Sequence, residues 1–238
     1  MTALIRGELI KTVTTRTLFG YAVLGVALMI ANVLIVTQFS DGLETVSDKR
    51  EAIAGLPLLL LVLGLVGAAG EYRHRTAAPA ALVAGRSRGR LLLARTGAYA
   101  LTGLAVGTLM LAVSLALGLP LLASEPGQRL GVGDVAAVAG GSLLAAGLSA
   151  VMGVAVGALV RNQVAAVIGT LILIFVGSPL LNVVNESALE FTPWGAGAVL
   201  AGEPHDKLSW GGAALMLAAW TVPLLIAAIA AERRRDVA

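Results

Sequence analysis

Cysteine is absent from this chain of 238 residues, and charged residues are scarce. The lack of cysteine excludes disulfides, thiolate catalysis and Cys-based zinc or iron–sulfur sites. Only 13% of the residues are charged, against about 25% in ordinary globular proteins. Because 58% of the residues are hydrophobic and the mean hydropathy is +0.89, a soluble fold could not bury the apolar surface. The composition predicts a chain whose main solvent is the lipid bilayer.

Motifs for catalysis are missing as well. Neither a phosphate-binding loop of the G-x-x-x-x-G-K-[ST] kind nor an H-E-x-x-H zinc motif occurs, so the chain is not expected to hydrolyse ATP. Its two histidines, His74 and His205, fall on opposite membrane sides in the topology below and cannot share a metal ion. The stretch Gly147–Ala150 resembles the serine motif of rhomboid-type intramembrane proteases, but the partner histidine would have to be His205, outside the spans. We therefore expect no enzyme and no cofactor or metal in this chain.

Long apolar runs predict an all-α integral membrane protein with six spanning helices. Each run has about 19 to 27 residues, and about 20 are needed to cross roughly 30 Å of hydrocarbon as a helix. Pro179 and Pro223 fall inside the last two spans and are expected to kink them. The predicted spans are residues 18–38, 52–70, 96–122, 135–160, 164–184 and 211–231.

Two shorter segments accompany the spans. Residues 1–16 place Ile5, Leu9 and Val13 on one face, which predicts an interfacial helix, with a frayed start as the alternative. Within the 185–208 loop, residues 193–202 are apolar but too few to span. This stretch predicts a short re-entrant or interfacial helix on the outer side, before the last span.

Basic residues are distributed unevenly between the loops. Thirteen of the seventeen lysines and arginines lie in the N-terminus, the 71–95 loop, the turn after the fourth span and the C-terminus. The positive-inside rule then places both termini and the 71–95 loop in the cytoplasm of a cell that carries the protein in its plasma or inner membrane.

Small residues recur in the spans at helical spacing. Gly103 and Gly107 are four apart, as are Ser149, Gly153 and Gly157. Such spacing allows close helix packing, either within the chain or between two copies. No ionisable residue lies in the middle of a predicted span, which argues against a proton relay or a voltage sensor.

The sequence GEYRHRTAAPAALVAGRSRGR, residues 70–90, holds five arginines. Arginine costs about 2.5–3.5 kcal/mol at a membrane centre, so this stretch must lie on the membrane surface. Residues 76–84 are compatible with a short helix that ends at Gly85. A surface helix flanked by arginines suits docking on another protein, and it suits binding of anionic lipid headgroups equally well.

Several features of this stretch occur together in one known family. The Gly70–Glu71 pair closes the second span, Tyr72, Arg73 and His74 follow, and Arg95 opens the third span after the small-residue helix and the arginine-rich turn. The N-terminal stretch that contains Glu8, Lys11, Arg16 and Thr17 adds to the pattern. Together with six spans and cytoplasmic termini, the chain resembles permease subunits of ABC-2-type transporters. It departs from them with Gly85-Arg86 where many members have Pro-Arg, with Arg95 where lysine is frequent, and with Arg75 where glycine is common.

The resemblance implies that the loop contains a coupling helix seated on a separate ATP-binding cassette ATPase subunit, which binds the ATP and Mg. A second permease copy or a paralogue would complete the pathway in the lipid bilayer, and no nucleic acid is expected as a partner. An amphiphilic or hydrophobic substrate would be exported. Glu71 would lie at the membrane boundary and pair with one of four loop arginines. The implied coupling residues are Glu71, Tyr72, Arg73, Arg75, Thr76, Arg86 and Arg88. The implied pathway residues are Asn32, Ser178 and Asn182.

Two rival hypotheses stay open. The first is an ATP-independent six-span protein whose basic loop binds anionic lipid or a regulator. The second is an intramembrane enzyme, which predicts that Ser149→Ala abolishes activity, whereas the same change in a permease should be mild.

Overall fold

Six long helical stretches dominate the computed structural model, which describes residues 1–39, 43–73, 87–185, 188–203 and 207–234. Within these ranges the chain forms helices and no strand. Six stretches are long and apolar enough to cross a membrane. The prediction of an all-α fold with six helices long and apolar enough to span a membrane is thereby confirmed. The six stretches are Arg16–Phe39, Val46–Arg73, Arg88–Ser124, Val132–Val160, Gln163–Val183 and Trp210–Arg233.

The α-helices are numbered here in chain order. Two short non-α turns interrupt the second half of the chain: a π-helical turn, Leu173–Gly177, and a 3₁₀ turn, Leu189–Phe191. The α-helices are α1 (Thr2–Thr14), α2 (Arg16–Phe39), α3 (Val46–Ala52), α4 (Pro57–Arg73), α5 (Arg88–Ser124), α6 (Val132–Val160), α7 (Gln163–Ile172), α8 (Ser178–Val184), α9 (Pro193–Ala201) and α10 (Trp210–Arg233).

Polar contacts define two ends of the helix bundle. At one end Lys49 is fully buried and donates to the carbonyls of Glu125 at 3.3 Å and Pro126 at 3.0 Å. Arg50 pairs there with Asp134. The other end, called the basic end below, consists of α1 with residues 15–17, residues 70–73, 87–96, 158–163 and 229–234.

Helices α4 and α6 form the centre of the bundle and touch through their backbones. A Cβ atom built on Gly64 would lie 2.1 Å from the carbonyl oxygen of Ala150, and one on Gly153 would lie 2.0 Å from that of Leu61. Only glycine permits so close an approach at these positions. A Cβ on Gly157 would lie 2.6 Å from another α4 carbonyl oxygen.

The small residues of the third span face the same central helix. A Cβ on Gly103 would lie 2.6 Å from Cβ of Ala150, and one on Gly107 would lie 2.8 Å from Cβ of Ala146. Of the two possibilities that the sequence left open for these glycines, the structure shows packing within the chain. The span that contains α2 and the span that contains α7 are much less buried by the rest of the chain. In their most apolar stretches of 18 residues, 17% and 6% of the residues are buried, against 56% for α6. Both therefore expose most of their apolar surface in the structure of the single chain.

Two helix ends in the structure differ from the predicted span boundaries. The third spanning helix begins at Arg88 rather than at residue 96, so the end of the predicted 71–95 loop is helical. The helix continues past Arg95 because that side chain is buried against two carboxylates. The second span, predicted as one helix over 52–70, is broken between Ala52 and Pro57 and begins with α3.

Side chains from three other spans satisfy the backbone at this break. The Asn32 amide donates to the carbonyl of Ala52 at 3.3 Å, and the Ser114 hydroxyl donates to that of Ile53 at 3.2 Å. Ser142 accepts from the amide of Gly55 at 3.2 Å and lies 3.3 Å from the Ala201 carbonyl, to which it donates. A broken helix is tolerated at membrane depth when neighbouring side chains replace the lost hydrogen bonds in this way.

Replacement of Ser142 by alanine is expected to lower the free energy of unfolding by about 1–3 kcal/mol, because it leaves the Gly55 amide and the Ala201 carbonyl without this partner. Tryptophan fluorescence during heating of the detergent-purified protein measures the change. Ser124→Ala is the matched control, since the Ser124 hydroxyl is exposed and bonds only its own helix. Equal unfolding temperatures for the two variants would contradict the bridging role.

The fifth span contains the π-helical turn just before Pro179, where the sequence predicts a kink. Proline has no amide hydrogen, and its ring clashes with the carbonyl four residues back. A π turn at this point shifts the hydrogen-bond register and so accommodates the ring.

Both predicted short helices are present. Helix α9 covers the predicted 193–202 stretch almost fully, and Leu200 and Ala201 are buried there. In α1 Glu8 and Thr12 are buried, whereas Val13, on the predicted apolar face, is 60% exposed. Glu8 faces inward because its carboxylate pairs with an arginine of α5. That α1 or α9 lies in the membrane interface stays a prediction.

Candidate functional site: buried charges at the basic end

Four charged side chains meet where α4 ends and α5 begins. Arg95 is 2% exposed, and its Nε donates to Oε2 of Glu8 at 3.3 Å. Its guanidinium also donates to Oε2 of Glu71, and the Lys11 ammonium pairs with the other oxygen of Glu71. Lys11 Nζ lies 3.9 Å from Glu8. This four-residue cluster (Glu8, Lys11, Glu71 and Arg95) ties α1, α4 and α5 together.

The four-residue cluster carries no net charge, since two carboxylates face two cations. That balance is what allows such deep burial, because an unpaired charge in an apolar medium costs several kcal/mol. Partial burial lowers the pKa of the Lys11 amine below its ordinary value, while neighbouring Glu8 acts in the opposite direction. The side chain of Lys11 is still 47% exposed, so its ammonium keeps contact with the surroundings.

A second cluster, the Tyr72 trio, lies beside the first and consists of Tyr72, Arg161 and Glu232. Glu232 Oε1 accepts from the Tyr72 hydroxyl at 2.7 Å and from Arg161 Nη2 at 2.5 Å. The Arg161 guanidinium also lies over the Tyr72 ring, 5.1 Å from its centroid, which is cation–π distance. Arg161 caps α6 with φ of 59°, a left-handed conformation in which arginine is uncommon.

Consecutive residues of α4 join the two clusters. Glu71 reaches α1 and α5, while Tyr72 reaches the end of α6 and the last turn of α10. After residue 86 in the sequence, Gly89 at the start of α5 packs closely on α10: a Cβ built on Gly89 would lie 3.0 Å from Cγ of Arg233. Segment 74–86 thus leaves from, and returns to, a base of five helices linked by buried charge.

The other predicted coupling residues divide into three groups. Arg73 is exposed and donates weakly to Gln163, at 3.5 Å. Arg88 lines a narrow cleft with Tyr72, Arg95 and Glu232. Arg75, Thr76 and Arg86, together with the predicted coupling helix over 76–84, lie outside the described residues. Glu71 pairs with Lys11 and Arg95, and of the four arginines expected as its partner, Arg75 and Arg86 lie outside the described residues.

Of the three predicted pathway residues, Ser178 and Asn182 lie one turn apart on α8, and Asn32 lies elsewhere, on α2. Asn32 bonds the helix break at Ala52, which is a structural role. The Ser178 hydroxyl oxygen is buried and makes no hydrogen bond in the part of the chain described, and Asn182 is exposed on α8. Helix α2 packs mainly on α5, whereas α8 contacts the two non-α turns beside it. The fold of one chain does not bring Asn32 together with the other two.

Sequence reasoning did not assign a site role to Glu8, Lys11, Arg95, Arg161 or Glu232. One signal was available: Glu8, Glu71 and Glu232 are acidic residues in segments that are otherwise basic. Acidic residues in such places are candidates for partners of buried arginines, and all three serve that purpose here.

A cavity of about 380 Å³ opens beside the four-residue cluster. Carboxylates, an ammonium, hydroxyls and a side-chain amide all reach it, and one wall is apolar. Its lining residues are Glu8, Lys11, Thr12, Thr15, Thr17, Val66, Gly67, Gly70, Glu71, Tyr99 and Gln163.

Comparison with protein-family models and with curated proteins finds no match to this chain. Across the described ranges, no group of three or more histidine, aspartate or glutamate side chains is placed to hold a metal ion. The geometry of the basic end therefore carries the functional argument.

Proposed function

We propose that this chain is the membrane-spanning permease subunit of an ABC-2-type transporter, with both termini in the cytoplasm of the plasma or inner membrane. A separate ATPase subunit would bind ATP and Mg, and its closure would drive export of an amphiphilic or hydrophobic substrate. The observation that carries the proposal is the double charged cluster at the base of segment 74–86, between Glu71 and Arg95.

A docking segment transmits movement only if its ends are attached firmly to the parts that must move. Glu71 and Tyr72 attach its start to four other helices, and Arg95 attaches its end to α1 and α4. A push on the segment would displace the basic ends of these helices as a unit. Rigid-body movement of this kind is a general route from a bound partner to a membrane pathway.

The weakly covered spans fit the second part of the proposal. Only 17% and 6% of the residues in the most apolar stretches of α2 and of the fifth span are buried. Each span therefore offers an apolar face to a second permease copy or to a paralogue. Ser178 and Asn182 lie in the fifth span, and there they would meet the substrate or the partner subunit. A topology signal alone would not need the buried pairs that hold segment 74–86.

The test is purification of the tagged protein from its native host in mild detergent, followed by mass spectrometry of what co-purifies. We expect a stoichiometric ATP-binding subunit, and we expect the charge reversal Arg73→Glu with Arg75→Glu to abolish its recovery. Reversing two charges at a protein interface typically removes several kcal/mol of binding free energy.

The matched control is Arg129→Glu, an exposed charge reversal at the opposite end of the bundle, which should leave co-purification unchanged. A preparation without any ATP-binding subunit, repeated after crosslinking, would refute the proposal. It would favour the ATP-independent rival, and the same loop variants would then be assayed on vesicles that contain anionic lipid.

A further inference from the structure

The cavity beside the four-residue cluster lies at the depth where the spanning helices end. Thr17 is the second residue of α2, Gly70 lies one turn before the end of α4, and Gln163 is the first residue of α7. Helices of this apolar character end at the boundary between hydrocarbon and headgroups. The cavity therefore opens at headgroup level, and Val66 lies one turn deeper.

The polar groups that line the cavity include both positive and negative side chains. The Lys11 ammonium donates to Glu71 and is half exposed, which leaves it N–H groups for a ligand. The Thr17 hydroxyl makes no hydrogen bond to the described part of the chain, and the Gln163 amide uses only its oxygen, toward Arg73. These donors suit a phosphate. Glu8 and Glu71 line the same space, so a purely anionic ligand would meet repulsion, while a ligand that also carries an amine would not.

The surroundings suit acyl chains. Phe19 of α2 is 74% exposed, and Val164 and Ile168 of α7 are 58% and 51% exposed. All three lie within about two turns of the helix ends that border the cavity, on the hydrocarbon side. A ligand with its headgroup in the cavity could lay its chains along these side chains.

We propose that this cavity binds the zwitterionic headgroup of an aminophospholipid from the adjacent leaflet. Its phosphate lies among Lys11, Thr17 and Gln163, and its ammonium lies near Glu8 and Glu71. The site involves this chain alone and does not depend on an ATPase partner, so its failure and the failure of the transporter proposal are separate results.

The experiment measures thermal unfolding of the full chain, purified in mild detergent, with added dioctanoyl phosphatidylethanolamine. We expect a saturable rise in Tm. Dioctanoyl phosphatidylglycerol, which lacks the amine, should act about tenfold more weakly, equivalent to the loss of one charged contact. Dioctanoylglycerol, which has no phosphate, and free phosphoethanolamine, which has no chains, should give no rise at the same concentration.

Gly70→Leu is the decisive variant, because a Cβ at Gly70 meets no atom within 4 Å and Gly70 lines the cavity, so the longer side chain would take up space that the headgroup needs. It should abolish the lipid effect. Gly140→Leu is the matched control, a helical glycine with equally open surroundings on α6, and it should respond as the wild type does. Thr17→Val, a substitution of nearly the same shape, should weaken the response about tenfold by removing one donor to the phosphate.

Three results would overturn the site. One is a wild-type lipid response in both Gly70→Leu and Thr17→Val. The second is an equal response to phosphatidylglycerol, which would remove the role of the carboxylates. The third is full stabilisation by free phosphoethanolamine, which would make the site one for a soluble anion rather than for a lipid.

Discussion

Replacement of Arg95 by methionine is expected to destabilise the protein by about 3–5 kcal/mol, the usual cost of removing one partner from a buried ion pair. Methionine fills most of the space but leaves Glu8 and Glu71 facing each other with only Lys11 between them. For a chain of this size the loss corresponds to a fall in Tm of roughly 10 °C. Heating of the detergent-purified variant measures it directly.

A compensating change separates the charge effect from the loss of packing. Arg95→Met combined with Glu8→Gln leaves one carboxylate and one cation, the Lys11–Glu71 pair, which is in direct contact. This double variant should recover more than half of the lost stability. Arg129→Met removes an exposed arginine at the opposite end and should change the free energy of unfolding by no more than about 0.5 kcal/mol. Arg95→Met with a wild-type Tm would show that the four-residue cluster does not stabilise the fold.

The same residue shows why part of this structure could be predicted from the sequence and part could not. Hydropathy scores each residue by itself, so Arg95 marks a helix boundary on that scale. In the fold its charge is neutralised by Glu71 and Glu8, which are 24 and 87 positions away, and the helix continues through it. Pairing over such distances is a property of tertiary structure, and a single sequence contains no direct measure of it.

The long apolar runs, by contrast, were predictable because a membrane span depends on length and composition alone. The break before Pro57 is an intermediate case. Proline favours the first position of a helix, and Pro57 is the first residue of α4. The sequence therefore held a local signal for a new helix, within a run so apolar that it was predicted as continuous. The acceptors and donors at the break, Asn32, Ser114 and Ser142, come from three other spans and have no such local signal.

Replacement of Gly153 by alanine is expected to be destabilising even though alanine is the better helix former. The added Cβ would lie 2.0 Å from the Leu61 carbonyl oxygen and 2.8 Å from the Leu65 amide nitrogen. Both are backbone atoms and cannot rotate away, so α4 and α6 must separate along the centre of the bundle. Overpacking of this kind costs about 1–3 kcal/mol or more, which exceeds the gain of up to about 1 kcal/mol in helix propensity.

Gly140→Ala is the control for Gly153→Ala, and its effect on stability is expected to have the opposite sign. Gly140 lies on the same helix, but its Cβ would meet nothing within 4 Å, so only the propensity gain remains and the variant should be neutral or more stable. Opposite signs for one substitution at two positions of one helix would establish that Gly153 serves packing within the chain. Had this glycine served contact between two copies instead, Gly153→Ala would leave the Tm of the monomer unchanged and shift the elution volume of a dimer toward that of a monomer. Size-exclusion chromatography of the same preparations therefore separates the two arrangements that glycines at this spacing allow.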